Sequence, residues 1–330
     1  MRAITYSAFG PASEVLHLSD IPTPEPAQGE VRVRLEMSGV NPSDVKARGG
    51  TRPGVTNPPF DQIIPHSDGA GVIEAVGPGV PDSRIGERVW IWNGQWQRAF
   101  GTAATHIVLP EAQAVPLPAS VSFETGAILG IPGLTAAHAV FGQGDVAGKT
   151  VLVQGGAGTV GLLAVQLAKW GGAQVIATAR GPGLEAARTA GADAVIDYTQ
   201  PDLAEAILAA NDGQLIDHIV EVELGQNIDT DAVVIAPNGV LAAYGSARNM
   251  APTLPFGPLL FKAVTLDILL IYLLEDGPRA AAIDRLHAAL ADGALTCPVA
   301  QVFPLADCAG AHAAVEQGGR AGAILIEVQA

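Results

Sequence analysis

VLVQGGAGTVGLLAVQLAKWGG, residues 151–172, reads as a buried strand, a glycine-rich turn and a helix in immediate succession. Val151 to Val153 supply the continuous apolar run of a strand covered on both faces. Gly155, Gly158 and Gly161 follow at intervals of three, and Gly171 and Gly172 close the helix. The spacing has a physical reason. One glycine makes a tight turn, a second lets a pyrophosphate approach backbone N–H groups, and a third lets helix and strand pack closely. Phosphate then lies at the positive end of the helix dipole. A glycine triplet alone also fits an ordinary turn. Here a strand precedes it, a helix follows, and a second strand, AQVIATA, comes at the right distance, so the segment reads as dinucleotide-binding.

The end of that second strand discriminates between dinucleotides. NAD sites usually place Asp or Glu about 20 residues beyond the glycines to hold the ribose 2′-hydroxyl. This chain reads Ala177, Thr178, Ala179, Arg180, Gly181, and its first acid is Glu185. Arginine in place of a carboxylate favours the 2′-phosphate of NADPH, the alternative for Arg180 being a solvated surface charge.

Working outward, KTVLVQG, AQVIATA, DAVIDY, LIDHIVEV and GVLAAYG are short β-rich runs separated by alanine-rich stretches of helical length. That alternation implies an α/β, doubly wound parallel sheet of the Rossmann type. Upstream, to about Ser120, Gly and Pro are dense and the apolar runs are short, as in VRVRLEMSGV, GAGVIEAV and ERVWIW, which predicts a β-rich domain. Downstream of Gly277 comes one amphipathic helix, with Ile283, Leu286 and Leu290 on one face and Gly293 as its stop, and finally the strand AILIEV. The expected division is a first domain of residues 1–120 completed by 277–330, and a Rossmann domain of 121–276. Phe256 to Leu274 is the most apolar run, but it carries Gly257, Pro258, Lys262 and Asp267, and a charge at mid-bilayer costs a few kcal/mol. Ala263 to Ile271 is therefore expected to be a strand buried on both faces.

The 330-residue chain is 48% hydrophobic and 15% charged, the composition of a well-buried globular protein, and its length suits two domains. With 18 Lys and Arg against 33 Asp and Glu, its net charge of -15 would repel a phosphate backbone, so nucleic acid is not an expected partner. Cys297 and Cys308 are the only cysteines, too few for a disulfide framework or a cysteine-rich zinc knot. Arg2 to Tyr6 alternate like a first strand and not like the apolar core of a signal peptide, so a cytoplasmic location is expected.

Together with the cofactor loop, the segments GEVRVRLEMSGVNPSDVKARGG, IPHSDGAGVIEAVGPGV, IGERVW, GAILGIPGLTAAHAVF and GADAVIDY give the chain a resemblance to medium-chain dehydrogenases/reductases of the zinc-independent quinone oxidoreductase (zeta-crystallin-like) group, over essentially its whole length. The resemblance implies a GroES-like β-rich catalytic domain, a Rossmann domain, a catalytic cleft where they meet and a homodimer joined through the last Rossmann strand. It implies NADPH contacts from Gly155, Gly156, Gly158, Thr159, Val160, Gly161, Thr178 and Arg180, and from Thr135, Tyr244, Gly245 and Arg320. The alcohol dehydrogenase branch of the superfamily holds a catalytic zinc with Cys, His and Cys; at the matching positions this chain has Asn41, Ser67 and Ile131. An amide and a hydrocarbon cannot replace two thiolates, so no zinc is expected there. His66, Asp68 and His106 are expected to satisfy local hydrogen bonds and not to bind a metal.

Without a Lewis acid, making an alkoxide from an alcohol is difficult, whereas reduction of an already electrophilic quinone or enone needs only a placed hydride and donors for the oxygen that gains charge. Asn41 and Lys46, on the NPSDVK turn that faces the cleft in the family, are the expected donors, although many relatives carry Tyr where this chain has Lys46. Phe60, Trp92 and Trp96 are expected to line the substrate pocket, while Trp90 in ERVW reads as core. Two other functions stay open on the sequence: reduction of an enoyl thioester, for which Arg48 and Arg52 are the nearby basic pair, and non-catalytic NADPH binding.

Overall fold

The computed structural model describes residues 1–51 and 54–329, and the chain divides into two compact units. One comprises Met1–Ile131, Pro298–Gly319 and Ala323–Ala330; the other comprises Pro132–Cys297 and Arg320–Gly322.

The second unit is built on a six-stranded sheet whose order is Ala194–Asp197, Gln174–Ala179, Thr150–Val153, Ile216–Glu221, Ile235–Ala243 and Thr265–Ile268. Every neighbouring pair is parallel. Numbered along the chain these strands run 3-2-1-4-5-6, the doubly wound dinucleotide-binding order. The apolar runs of Val151–Val153, Val175–Ala177 and Ile219–Val220 are fully buried because helices cover both faces of the central strands.

Three features of this unit differ from the sequence reading. The helix Asp276–Ala291 belongs here and not to the β-rich unit, because its buried Leu286 and Ala289 face the helix Leu134–Phe141 and the Arg285 guanidinium lies 4.7 Å over the Phe141 ring. The boundary expected at residue 120 falls at Ile131/Pro132, inside the π-helical turn Leu129–Gly133. The helix Phe123–Ile128 stays with the first unit: Gly126 lets it approach the strand Asp68–Val76, and Arg88 lies 4.3 Å over the Phe123 ring. Finally, Ala263–Ile271 is not buried on both faces. Only Thr265–Ile268 is strand, it ends the sheet order with one edge unpaired, and Ile268 is 73% exposed. The run is apolar without being covered by this chain.

The first unit is centred on the long strand Glu30–Val40, whose alternation matches its burial: Val31, Val33 and Leu35 are inside, while Arg32 reaches Glu74 at 2.6 Å and Glu25 at 2.7 Å. Asp68–Val76 pairs with it antiparallel along one edge. The other edge is divided between His106–Pro110, on residues 30–34, and the C-terminal strand Ala323–Glu327, on residues 37–40. Trp90, on Arg88–Ile91, is fully buried, and Leu305, Cys308, Ala311 and Val315 close the same core from the C-terminal segment. Among the described residues no helix is long and apolar enough to cross a membrane.

Candidate active site

The glycine loop sits where strand Thr150–Val153 gives way to helix Thr159–Trp170. Gly155 adopts φ +68°, the left-handed region that favours glycine, and Gly158 is the helix N-cap. A Cβ on Gly156 would lie 2.8 Å from that of Ala177, so this glycine permits the close approach of the neighbouring strand. The first turn of the helix leaves the N–H groups of Thr159, Val160 and Gly161 without helical partners, at the positive end of the dipole.

A buried polar floor holds the loop. Thr178 Oγ1 accepts from the Gly155 N–H at 3.0 Å and donates to Gln154 Oε1 at 2.7 Å, and Gln154 Nε2 donates to Asp231 Oδ1 at 3.0 Å. Thr178 thus positions Gly155 instead of presenting its hydroxyl outward. Burial pushes the Asp231 carboxyl well above its ordinary range, and the nearby charge of Glu221 pushes it further. The Asn227 amide is donated to both Glu221 oxygens, at 3.0 and 3.1 Å.

The other expected cofactor residues divide between exposed and buried positions. Arg180 is exposed just past strand Gln174–Ala179, and its charge lowers the pKa of Asp197 at the end of the adjacent strand, after the two bonds from Thr199. Thr159 Oγ1 donates to the Gly322 carbonyl at 3.1 Å, which brings the turn holding half-buried Arg320 to the helix N-terminus. Tyr244 and Gly245 continue strand Ile235–Ala243, tied to the strand beside it by Tyr244 N–H to Glu221 O and Leu224 N–H to Gly245 O, both 3.0 Å. Thr135 is buried on helix Leu134–Phe141. Gly155, Arg180, Tyr244 and Gly245 therefore all lie at the carboxyl ends of parallel strands, where ligands of open α/β sheets bind.

In the first unit, Asn41 starts the helix Pro42–Arg48 and is buried. Its amide Nδ2 donates to Asp68 Oδ2 at 2.8 Å, and the Ile131 N–H donates to Asp68 Oδ1 at 2.9 Å. Gly130 makes room for that carboxylate, since a Cβ there would lie 2.7 Å from Asp68 Cγ. Burial raises the Asp68 pKa well above the usual range and Asp44 adds to it; the two donated bonds act against the rise. Two of the three positions that resemble zinc ligands thus converge on one carboxylate, and Ser67 is next to it in sequence. They offer an amide and a backbone N–H where the metal needs thiolates. These residues do not fit a catalytic zinc.

Lys46 is exposed on the same helix. Phe60, Trp92 and Trp96 are half-buried. The loop carrying both tryptophans is pinned by Gln113, whose amide donates to Trp92 O at 3.1 Å while its Oε1 accepts from Arg98 at 2.7 Å. His106 pairs with Glu74 at 3.3 Å, while His66 is hydrogen-bonded elsewhere, so His66, Asp68 and His106 form no common site. Arg48 is buried and committed to Gly10 O and Glu316; Arg52 lies outside the described residues.

The alcohol dehydrogenase GroES-like domain family matches residues 27–119, and the zinc-binding dehydrogenase family matches residues 159–286. A quinone oxidoreductase of Pseudomonas aeruginosa is 32% identical over 318 residues, covering 94% of each chain. The chain belongs to the zinc-independent quinone oxidoreductase group of medium-chain dehydrogenases/reductases. Among solved structures, Escherichia coli quinone oxidoreductase complexed with NADPH superposes with a TM-score of 0.86 at 26% identity, over 99% of this chain and 100% of that one. An NAD-dependent alcohol dehydrogenase also reaches 0.86, at 31% identity and the same coverage. Within the family, then, the dinucleotide has to be argued from this chain's own residues.

Sequence reasoning missed Asp68, Glu221, Asp231 and Asp197 as parts of these sites. Asp68, Glu221 and Asp197 sit at strand ends, where an acidic residue carries no periodic signal, and Asp231 lies within the helix Leu224–Val234; only the folded arrangement shows what each one faces.

Proposed function

We propose that the protein is an NADPH-dependent reductase of quinones or conjugated enones that works without a metal at its reaction centre. The observation that carries this reading is Asn41, an amide hydrogen-bonded to buried Asp68 at a position that resembles a zinc ligand. With no Lewis acid to polarise an ordinary ketone or form an alkoxide, the acceptor must be electrophilic already. When bound, NADPH supplies the hydride.

The chain's own residues do the rest. The N–H groups from Gly155 to Gly161 hold the pyrophosphate, and Arg180 and Arg320 hold the 2′-phosphate. Asp68 fixes the Asn41 amide, which leaves its second N–H to be donated to the acceptor oxygen as charge develops there. Exposed Lys46 is a further donor and a source of the proton that completes the reduced product. Trp92, Trp96 and Phe60 offer flat apolar faces to a ring. Engagement of Arg48 with Glu316 removes one of the two bases that a thioester carrier would need.

The protein works as a homodimer in this reading. The unpaired edge of Thr265–Ile268 and the exposed Phe261, Ile268 and Leu273, at 90%, 73% and 65%, support a closed contact that continues the sheet in a second copy. Steady-state oxidation of NADPH with 1,4-benzoquinone, an enone and an enoyl thioester tests the activity. Turnover with the first two and not the third is expected. Turnover with the thioester alone, or NADPH binding without any turnover, would refute the assignment.

A further inference from the structure

The fold assembles a second cluster of chemistry-bearing side chains that the reductase reading does not use. Cys308 and His312 are four residues apart on the helix Cys308–Gln317, so they lie on one face. That face meets His66, which precedes strand Asp68–Val76. His66 Nε2 and His312 Nε2 are 2.9 Å apart, Cys308 Sγ is 3.9 Å from His66 Nε2, and the three ligand atoms all lie within 4.8 Å of one another. None of the three residues is more than 1% exposed.

A relay of hydroxyls sets the tautomer of His66. Thr102 Oγ1 donates to the Asp68 carbonyl at 2.6 Å, so it accepts from Ser38, 2.9 Å away. Ser38 Oγ in turn accepts from His66 Nδ1 at 3.0 Å. The proton of His66 is therefore on Nδ1, and its Nε2 lone pair is directed at His312 and Cys308. Hydrogen-bonding one ring nitrogen so that the other is free to ligate is how metal-binding histidines are held. Burial keeps both imidazoles neutral, with His312 down to about 3, which is the protonation state that ligation needs. His66 also holds φ +76°, an expensive conformation for a residue with a Cβ, and His312 Nδ1 is buried without a hydrogen-bond partner.

We infer that His66, Cys308 and His312 form a binding site for one thiophilic metal ion, Zn(II) or Cu(I). A tetrahedral ion with metal–nitrogen and metal–sulfur bonds of about 2.05 and 2.3 Å would set its nitrogens about 3.3 Å apart and its sulfur about 3.6 Å from each nitrogen. The observed 2.9 and 3.9 Å bracket those values, and the remaining separation, between Cys308 and His312, lies within 4.8 Å, so side-chain shifts of up to about 1 Å complete the site. Ligation forms one sulfur–metal and two nitrogen–metal bonds: the Cys308 proton leaves to solvent, and the proton that His312 Nε2 donates to His66 Nε2 passes to the unpartnered His312 Nδ1. Cu(I) with a thiolate is neutral overall and accepts three ligands, which suits a buried site near the Arg48 charge. Zn(II) would draw on Asp44 and Asp307, whose charges act on Cys308, and on a fourth ligand. This site does not alter the metal-free hydride transfer proposed above, but it revises the expectation that His66 binds no metal.

The test uses the untagged full chain, expressed in medium supplemented with zinc or with copper and analysed for metal by mass spectrometry. Cobalt(II) titration reads the divalent arm through a thiolate-to-cobalt charge-transfer band, and anaerobic competition with a chromophoric Cu(I) chelator reads the other. One equivalent of ion per chain is expected in one arm at least. Affinity should fall by on the order of a hundredfold in Cys308→Ser and in His66→Gly, where glycine suits the backbone and preserves the fold. Each variant's melting temperature without metal checks that it folds. Wild-type protein that retains no ion in either arm, or binding unchanged in both variants, would overturn the inference whether or not the reductase assay succeeds.

Discussion

The glycines of the cofactor loop differ in what they make room for, and that difference yields a sharp test. A Cβ on Gly161 would sit 2.8 Å from the Gly156 Cα and closer still to the Gly155 carbonyl oxygen. Both obstacles are backbone, so no rotamer change relieves them. Overpacking of this kind costs about 1–3 kcal/mol, and with no flexible atom to yield the upper half of that range applies. Replacing a helical glycine by alanine returns about 1 kcal/mol of propensity. The expected net loss for Gly161→Ala is therefore ~1–2 kcal/mol, a fall in Tm of roughly 2–8 °C for a unit of this size.

Gly158 is different. Its φ of -70° suits alanine, and the nearest atom to an added Cβ is the Gly155 oxygen at 3.5 Å, an ordinary contact. Gly158→Ala therefore loses only the N-cap preference, about 0.5–1 kcal/mol, while in the proposed binding mode its methyl enters the space of the pyrophosphate. NADPH affinity should fall by roughly tenfold to a hundredfold, or about 1.4–2.8 kcal/mol, more than the stability falls. Thermal melts of the free proteins and calorimetric titration with NADPH separate the two effects. The reasoning fails if Gly161→Ala melts with the wild type, or if Gly158→Ala keeps wild-type affinity.

Arg180→Ala and Arg320→Ala are each expected to weaken NADPH by on the order of 1.5–3 kcal/mol and to leave NADH nearly unchanged; a wild type that prefers NADH in paired titrations would contradict the cofactor reading. Asp231 has its folded pKa raised above the ordinary 3.8, so its stabilising contribution is complete below that pH and is lost as pH rises through the folded value. Asp231→Asn should flatten this part of the pH–stability curve and change stability at pH 7 by less than about 1 kcal/mol, as chemical denaturation across pH can check. His66 and His312 work in the opposite sense, since their folded pKa values are lowered: their contribution is present above 6.5 and is lost as pH falls, toward about 3 for His312. If the proposed dimer forms through this edge, wild type should scatter as a dimer and Phe261→Glu combined with Ile268→Lys as a folded monomer; a monomeric wild type would overturn the dimer, and an unchanged dimer mass in the variant would place the contact elsewhere.

The alternation of β-rich runs and helical stretches around residues 151–172 was enough to read a doubly wound parallel sheet, though not its strand order, because buried strands and glycine turns leave local signals. The helix Asp276–Ala291 was assigned to the wrong unit because an amphipathic face shows that it is covered, not what covers it; the answer lies in Phe141 and the helix that carries it. Ala263–Ile271 misled for a related reason. Apolar composition marks surface that avoids water, and a subunit contact satisfies that as well as a core does. At the site, the substitutions at Asn41, Ser67 and Ile131 were legible as the loss of thiolates, but not the carboxylate of Asp68 that two of them hold. The cluster of His66, Cys308 and His312 offered only one local cue, the four-residue spacing on a helix, and its third member is 242 residues from Cys308.

The pairing of Ala323–Glu327 with Met37–Val40 sets the order in which the molecule can be made. During synthesis every strand of the parallel sheet, ending at Ile268, is available before the partner of Val40 has been translated. The inserted unit can therefore collapse first, while the N-terminal strands wait with an edge exposed. Closing that edge joins segments almost a whole chain apart, although the entropy of joining distant ends grows only slowly with their separation. A ribosome that stalls late would release a chain with a nearly complete nucleotide-binding unit and an open β-sheet, a form suited to recognition by chaperones and prone to aggregate without them.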